Sequence, residues 1–98
     1  MIDRATFERS LAESAPPAEA PPPLAALWWL RNDDWNRAHS IAQDVPGAGG
    51  AAVHALLHRI EGDLPNAAYW YDRAGRPPAT GSTDDEWHAL VDALLEGS

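Results

Sequence analysis

Apolar residues recur along this chain at the three- and four-residue spacing of amphipathic helices, and no segment alternates strictly in the manner of a strand. The clearest stripe is Val53, Leu56, Leu57 and Ile60, which predicts a helix over 51–61. Comparable patterns predict five more helices, over residues 3–14, 24–33, 35–45, 63–75 and 83–97. The sequence therefore predicts an all-α domain.

Residues typical of helix ends lie between these stripes. Asp3 and Asp34 are expected N-caps, because a short acidic side chain accepts a hydrogen bond from the first helical N–H groups. Gly62 is expected to end one helix, and Asp63 to cap the next. The run Thr83–Glu86 has the hydroxyl and glutamate spacing of a capping box. These signals divide the chain into short helices joined by tight turns.

Two segments rich in proline or glycine predict the connections. Residues 15–23 hold five of the nine prolines and predict an extended polyproline linker. Residues 46–51, PGAGGA, predict a flexible link; a phosphate cradle is disfavoured because no strand precedes the glycines and no Lys or Ser/Thr follows them. The expected organisation is a single domain over 1–98, with an N-terminal helix in 1–14, the linker in 15–23, two helical hairpins in 24–78 and a C-terminal capping helix in 79–98.

Composition narrows the classes of function. The net charge is −8 with no lysine, which disfavours nucleic-acid backbones and anionic membranes as partners. There is no cysteine, so disulfides and thiolate metal sites are excluded. Residues 1–10 are charged where a signal peptide needs an apolar run, and no apolar stretch reaches the roughly 18 residues of a membrane span. These features predict a cytoplasmic protein.

The chain contains an internal repeat. Residues 33–38, DDWNRA, align with residues 62–67, GDLPNA, at an offset of 62 − 33 = 29. Each copy has an acidic turn, a bulky apolar residue and then alanine at Ala38 or Ala67, where a methyl group allows two helices to approach closely.

With Gly62, Asp63, Leu64, Ala67 and the later Tyr71, Arg73, Ala74 and Gly75, residues 24–78 resemble the tetratricopeptide and Sel1-like repeats. The resemblance implies stacked helical hairpins that bind a protein or peptide. The chain departs from the family in its short period, in Asp33 where glycine is expected, and in two histidines on the first helix of the second hairpin. It also resembles a group of short bacterial proteins with the same WNRAH and HALLHR runs, which implies a stand-alone helical protein and no particular activity.

Histidines form the most specific candidate site. His54 and His58 are four residues apart and share a helix face with Glu61, and His39 on the preceding helix would approach them in an antiparallel hairpin. Such a set could ligate a metal, although the glutamate that zincins carry directly after the first histidine is replaced by Ala55. The alternative is that these histidines pack between helices and hydrogen-bond to Glu61 or to another polar neighbour.

Aromatic residues suggest a second kind of site. Five tryptophans in 98 residues favour either core packing or an aromatic groove for a peptide or planar ligand, with Trp35, Tyr69 and Trp70 as candidates. The arginines Arg59, Arg73 and Arg76 suggest a small anion-binding cluster. The alternative for them is surface pairing with neighbouring acids, at Glu61, Asp63 and Asp72.

These observations leave three hypotheses. The first is a protein- or peptide-binding module, the second a small metal- or cofactor-binding protein that uses His39, His54 and His58, and the third a homodimer joined through a tryptophan-rich face. No catalytic Ser–His–Asp or Cys–His arrangement is identifiable, so no enzyme activity and no cofactor are assigned. The candidate binding residues are His39, His54, His58, Glu61, Tyr69, Trp70, Trp35 and Arg59.

Overall fold

The computed structural model describes residues 2–96, and within that range it contains six α-helices and no strand. The all-α prediction is confirmed. The helices are α1 (Arg4–Ser10), α2 (Pro22–Arg31), α3 (Trp35–Gln43), α4 (Gly47–Glu61), α5 (Leu64–Ala74) and α6 (Thr83–Leu95). None of these six is long and apolar enough to cross a membrane. The glycine expected to end the last helix, Gly97, lies outside the described residues.

Helix α4 is the centre of the fold. It contacts α2, α3, α5 and α6, and every residue from 50 to 58 is buried. Helix α6 also packs against α2 and α1, so the N-terminal helix covers one end of the core. Because α4 is enclosed, the polar residues within 50–58, His54 and His58, are buried together with the apolar stripe.

The prediction of a flexible link at 46–51 is wrong, because α4 begins at Gly47. The glycine at position 50 is required by close packing. A Cβ atom on Gly50 would lie 2.3 Å from the backbone oxygen of Val45 and 2.9 Å from its Cβ. The small residues Ala51 and Ala52 are also buried. The small side chains at positions 50–52 therefore let neighbouring backbone approach the first turns of α4.

The turns between α2 and α3 and between α4 and α5 have the same local structure. Asp33 and Gly62 both adopt a left-handed conformation, with φ of 64° and 88°. In each turn the N–H of the following aspartate donates to the carbonyl five residues earlier at 2.9 Å, from Asp34 to Trp29 and from Asp63 to His58. Both bonds satisfy a carbonyl at a helix C-terminus.

The aspartates of these turns also begin the next helices, as the sequence predicted. The side chain of Asp34 accepts a hydrogen bond from the N–H of Arg37, and that of Asp63 accepts one from the N–H of Asn66. The alanines that follow at equivalent positions, Ala38 and Ala67, are both buried. The two segments, 29 residues apart, therefore share the turn, the N-cap and a buried alanine four residues after the cap.

Several helix ends differ from expectation. Helix α1 is shorter than 3–14, although Asp3 caps it as predicted. The segment 15–23 is not extended throughout, because Ala20 N–H donates to the Pro17 carbonyl and α2 already begins at Pro22. The predicted capping box is also wrong: Ser82 caps α6 by accepting from the N–H of Asp85, and Glu86 has other partners.

Three tryptophan indoles tie helices together. Each indole N–H donates to a backbone carbonyl on another helix, from Trp28 to Ser10 at 3.2 Å, from Trp35 to Leu57 at 2.9 Å and from Trp87 to Leu27 at 2.9 Å. These bonds join α1 to α2, α3 to α4 and α2 to α6. These three tryptophans are therefore part of the scaffold, and the one polar atom of each, the indole nitrogen, is hydrogen-bonded.

We predict that Gly50→Ala lowers the free energy of unfolding by about 1–3 kcal/mol, because the added methyl group meets backbone that cannot move aside cheaply. Gly49→Ala is the matched control. There the new Cβ would lie 3.5 Å from Leu94 Cδ2, an ordinary contact, so helix propensity makes that variant neutral or up to about 1 kcal/mol more stable. Urea unfolding measures both, and equal effects would contradict the packing argument.

Candidate functional site

Three histidines meet where α3 packs against α4. His39 comes from α3, and His54 and His58 come from successive turns of α4. One ring nitrogen from each lies within 4.8 Å of the others. The closest pair is His39 Nε2 and His54 Nε2, which are 3.0 Å apart. The histidines that the sequence singled out are thus brought together in one cluster.

The local sequence explains this placement. His54 and His58 are one helical turn apart, so they point to the same side of α4, and their rings stack with centroids 4.9 Å apart. Buried alanines at Ala38 and Ala42 on α3 allow close packing there. The ring of His39 then meets those of His54 and His58 edge-on at 4.7 and 5.3 Å.

Two tryptophans form the walls of the cluster. Trp35 stacks on His39, with ring centroids 4.9 Å apart and planes 8° apart. Trp70 of α5 stacks on His54 at 4.0 Å and 15°. Trp35 is itself fixed by its hydrogen bond to the Leu57 carbonyl. His39 is only half-buried, so one edge of the cluster is open to solvent.

Burial keeps two of the rings neutral. His54 is 5% exposed, and burial, with the neighbouring His39 and His58, lowers its pKa to about 4. Burial also lowers the pKa of His39; His58 adds to that effect and the Glu61 charge opposes it. At neutral pH both imidazoles therefore have a nitrogen lone pair. The 3.0 Å contact between them is then a hydrogen bond from one neutral ring to the other.

A carboxylate adjoins the cluster. Glu61 Oε1 lies 3.1 Å from Nδ1 of His58, which is one turn earlier on α4. Glu61 and Asp63 form a second group with His58 that has metal-ligand spacing. The Asp63 carboxylate, however, caps α5 by accepting the N–H of Asn66. The cluster of three imidazoles is therefore the better-formed of the two candidates.

Arg59 lies outside this site. Its guanidinium donates to Glu86 Oε1 at 2.8 Å and to the carbonyl of Gly81, and Glu86 Oε2 accepts from the Tyr71 hydroxyl at 2.6 Å. Burial and the Glu86 contact raise the pKa of Tyr71. Arg59 is thus paired with an acidic residue, as one interpretation of the sequence expected, but its partner is Glu86 rather than Glu61 or Asp63. No sequence spacing pointed to Glu86, because its partners lie 27 and 15 positions away.

The remaining aromatic candidates do not form a groove of exposed indoles. Trp28 and Trp87 are buried, and Trp29, Trp35 and Trp70 are half-buried. Tyr69, in contrast, is 53% exposed, with its hydroxyl 3.4 Å from an Arg73 donor. Two aliphatic side chains are also open to solvent, Ile60 at 43% and Leu64 at 63%. Ile60 was expected on the buried stripe, but it falls at the end of α4, beyond the enclosed part.

Comparison with protein-family models, with curated proteins and with solved structures finds no match to this chain.

We predict that acid destabilises the protein through His54. Its folded pKa of about 4 is below the ordinary value of 6.5, so the unfolded chain binds more protons between these values. The free energy of unfolding should therefore fall as pH falls from about 7 to about 5, with at most about 1.4 kcal/mol per pH unit from this residue. Urea unfolding of wild type and His54→Asn measures it. His88→Asn is the control, and equal slopes in wild type and His54→Asn would contradict the assignment.

Proposed function

We propose that this protein binds a transition-metal ion, such as Zn²⁺, through His39, His54 and His58. The observation that carries the proposal is the convergence of three imidazoles, each offering a ring nitrogen within 4.8 Å of the other two. Burial lowers the pKa of His39 and of His54 and so favours the neutral imidazoles that ligate metals. The ring that donates the Nε2 hydrogen bond must move its proton to Nδ1 when Nε2 binds an ion.

The spacing is close to what a metal requires. Nitrogens bound tetrahedrally to Zn²⁺ at about 2.0–2.1 Å lie about 3.3 Å from each other. The His39–His54 pair, at 3.0 Å, is already near that value, and the third nitrogen, within 4.8 Å of the other two, has to move inward. An ion would replace the hydrogen bond between the two rings. Three protein ligands leave a fourth position for water or another ligand.

The ligand type selects the metal. Three imidazoles suit Zn²⁺, Cu²⁺ and Ni²⁺, whereas Ca²⁺ and Mg²⁺ prefer oxygen ligands. The stacked indoles of Trp35 and Trp70 also supply an optical probe, because both touch proposed ligands. A paramagnetic ion at this position would quench their fluorescence at close range.

We predict that metal-free wild-type protein binds one Zn²⁺ per chain and is stabilised by it. Excess Zn²⁺ at about 100 times Kd should raise the free energy of unfolding by about 2.7 kcal/mol. His39→Gln is the informative variant, since His39 is only half-buried and its replacement removes no fully buried side chain. The His39→Gln variant should lose more Zn²⁺ affinity than the roughly 10–100-fold that is lost when a hydrogen-bond partner of a ligand is removed, because His39 is itself a proposed ligand.

His88→Gln is the matched control for this experiment. His88 is the fourth histidine and lies against Arg4 and Arg31, away from the cluster. Calorimetric titration with Zn²⁺ and quenching by Cu²⁺ should be the same in His88→Gln and wild type. A wild-type protein that takes up no Zn²⁺ and shows no change in stability on adding it would exclude the proposal.

We further propose that α2–α3 and α4–α5 are two copies of one tetratricopeptide-like hairpin. The support is the matched pair of turns, with positive φ at Asp33 and Gly62 and equivalent caps at Asp34 and Asp63. The buried alanines also occupy equivalent positions. An experimental structure in which residues 24–46 fail to superpose on 53–75 would contradict this proposal.

A protein- or peptide-binding role is the second candidate function. It is favoured by the exposed apolar side chains of Leu64 and Tyr69 on α5, at 63% and 53%. We predict that a partner retained by immobilised wild-type protein is lost with the double variant Leu64→Ser, Tyr69→Ser. Ala89→Ser, at an exposed position of α6, is the control. Equal retention by all three proteins would contradict an interface on α5, and light scattering separates a foreign partner from a second copy of the chain.

A further inference from the structure

We propose that Glu61 is a positioning residue of the histidine cluster, and that it holds His58 in the tautomer that offers Nε2 to a metal. The metal part of this inference rests on the proposed function. The tautomer itself is a property of the metal-free protein and is tested separately.

The contact between Glu61 and His58 determines which ring nitrogen carries the proton. Glu61 Oε1 lies 3.1 Å from His58 Nδ1. An ionised carboxylate only accepts hydrogen bonds, whereas a neutral imidazole has one donor nitrogen and one acceptor nitrogen. Nδ1 must therefore carry a hydrogen, and in the neutral ring Nε2 is left with the lone pair. Nε2 is then the nitrogen available to an ion between His58, His39 and His54.

The end of α4 gives this contact its geometry. Glu61 is the last residue of the helix, one turn after His58, and Gly62 leaves the helix with φ of 88°. The His58 side chain is almost fully buried while that of Glu61 is about half exposed. The carboxylate can thus stay hydrated on one side while its other side fixes a buried ring. Metal-bound histidines are usually oriented in this way by an outer carboxylate or carbonyl.

A direct role for Glu61 as a ligand is less well supported. An ion held by Glu61 and His58 would use Nδ1, and its third ligand would be Asp63. The Asp63 carboxylate already accepts from the backbone and the side-chain amide of Asn66 at the start of α5. Binding there would remove a helix cap, whereas binding at the three imidazoles leaves every cap in place.

The first experiment uses metal-free protein. Long-range ¹H–¹⁵N correlation spectra identify the protonated nitrogen of each histidine at neutral pH. We expect His58 to be the Nδ1–H form in wild type and in Glu61→Gln, since the amide oxygen still accepts. In Glu61→Ala the Nε2–H form should become populated. A wild-type His58 protonated at Nε2, or a tautomer unchanged in Glu61→Ala, would overturn the inference.

The second experiment measures metal binding. Glu61→Ala should bind Zn²⁺ about 10–100-fold more weakly than wild type, and Glu61→Gln should lie between them. Glu13→Gln removes the same charge at an exposed position in the turn after α1 and should match wild type. The visible absorption of bound Co²⁺ should be the same in wild type and Glu61→Ala, because the ligands are unchanged.

The outcomes separate the two proposals. A Co²⁺ spectrum that changes in Glu61→Ala would make Glu61 a ligand and overturn its positioning role, as would an unchanged Zn²⁺ affinity. If wild-type protein binds no Zn²⁺, the proposed function fails, and the role of Glu61 then stands or falls on the tautomer of His58 alone.

Discussion

The enclosure of α4 is the constraint on which the rest of this structure depends. A helix that contacts four others has no solvent-facing side in its middle, so residues 50–58 are buried whatever their chemistry. Small residues in its first half permit the close approach, and Val53, Leu56 and Leu57 fill the space further along. The two histidines in this stretch are buried by the same packing. A buried polar group must find a partner or destabilise the fold.

The partners available to α4 come from the surrounding helices. Arg59 near its C-terminal end reaches Glu86 on α6, which also holds the hydroxyl of Tyr71 on α5. The histidines meet each other, Glu61 and two stacked indoles. The indole N–H groups of Trp28, Trp35 and Trp87 donate to carbonyls on other helices. Most of these contacts join different helices, so the position of each helix depends on its neighbours.

Local chemistry explains what could be predicted from the sequence. The turns after Asp33 and Gly62, and the caps at Asp34 and Asp63, depend on residues within five positions of each other. The shared face of His54 and His58 follows from helix periodicity, and the approach of His39 follows from an antiparallel hairpin.

Contacts that depend on tertiary packing could not be predicted in this way. The glycines at 47, 49 and 50 indicated a loop. The close approach of Val45, which requires a glycine at position 50 of the helix, is not visible in the sequence. Glu86 matched a capping box by spacing, yet its partners lie on other helices. The stacking of Trp70 on His54 likewise required the packing of α5 against α4.

Buried histidines carry an energetic cost that apolar residues at the same positions would not. Apolar residues of similar size would fill the same space without the cost that a lowered pKa represents, since His54 opposes folding wherever its unfolded form is protonated. An indole packs against two of the three rings, and a carboxylate contacts the third. Perturbed titrating groups held in a fixed geometry are typical of functional sites. A metal ion bound by the three imidazoles would stabilise the fold, because it binds the folded arrangement and has no equivalent in the unfolded chain.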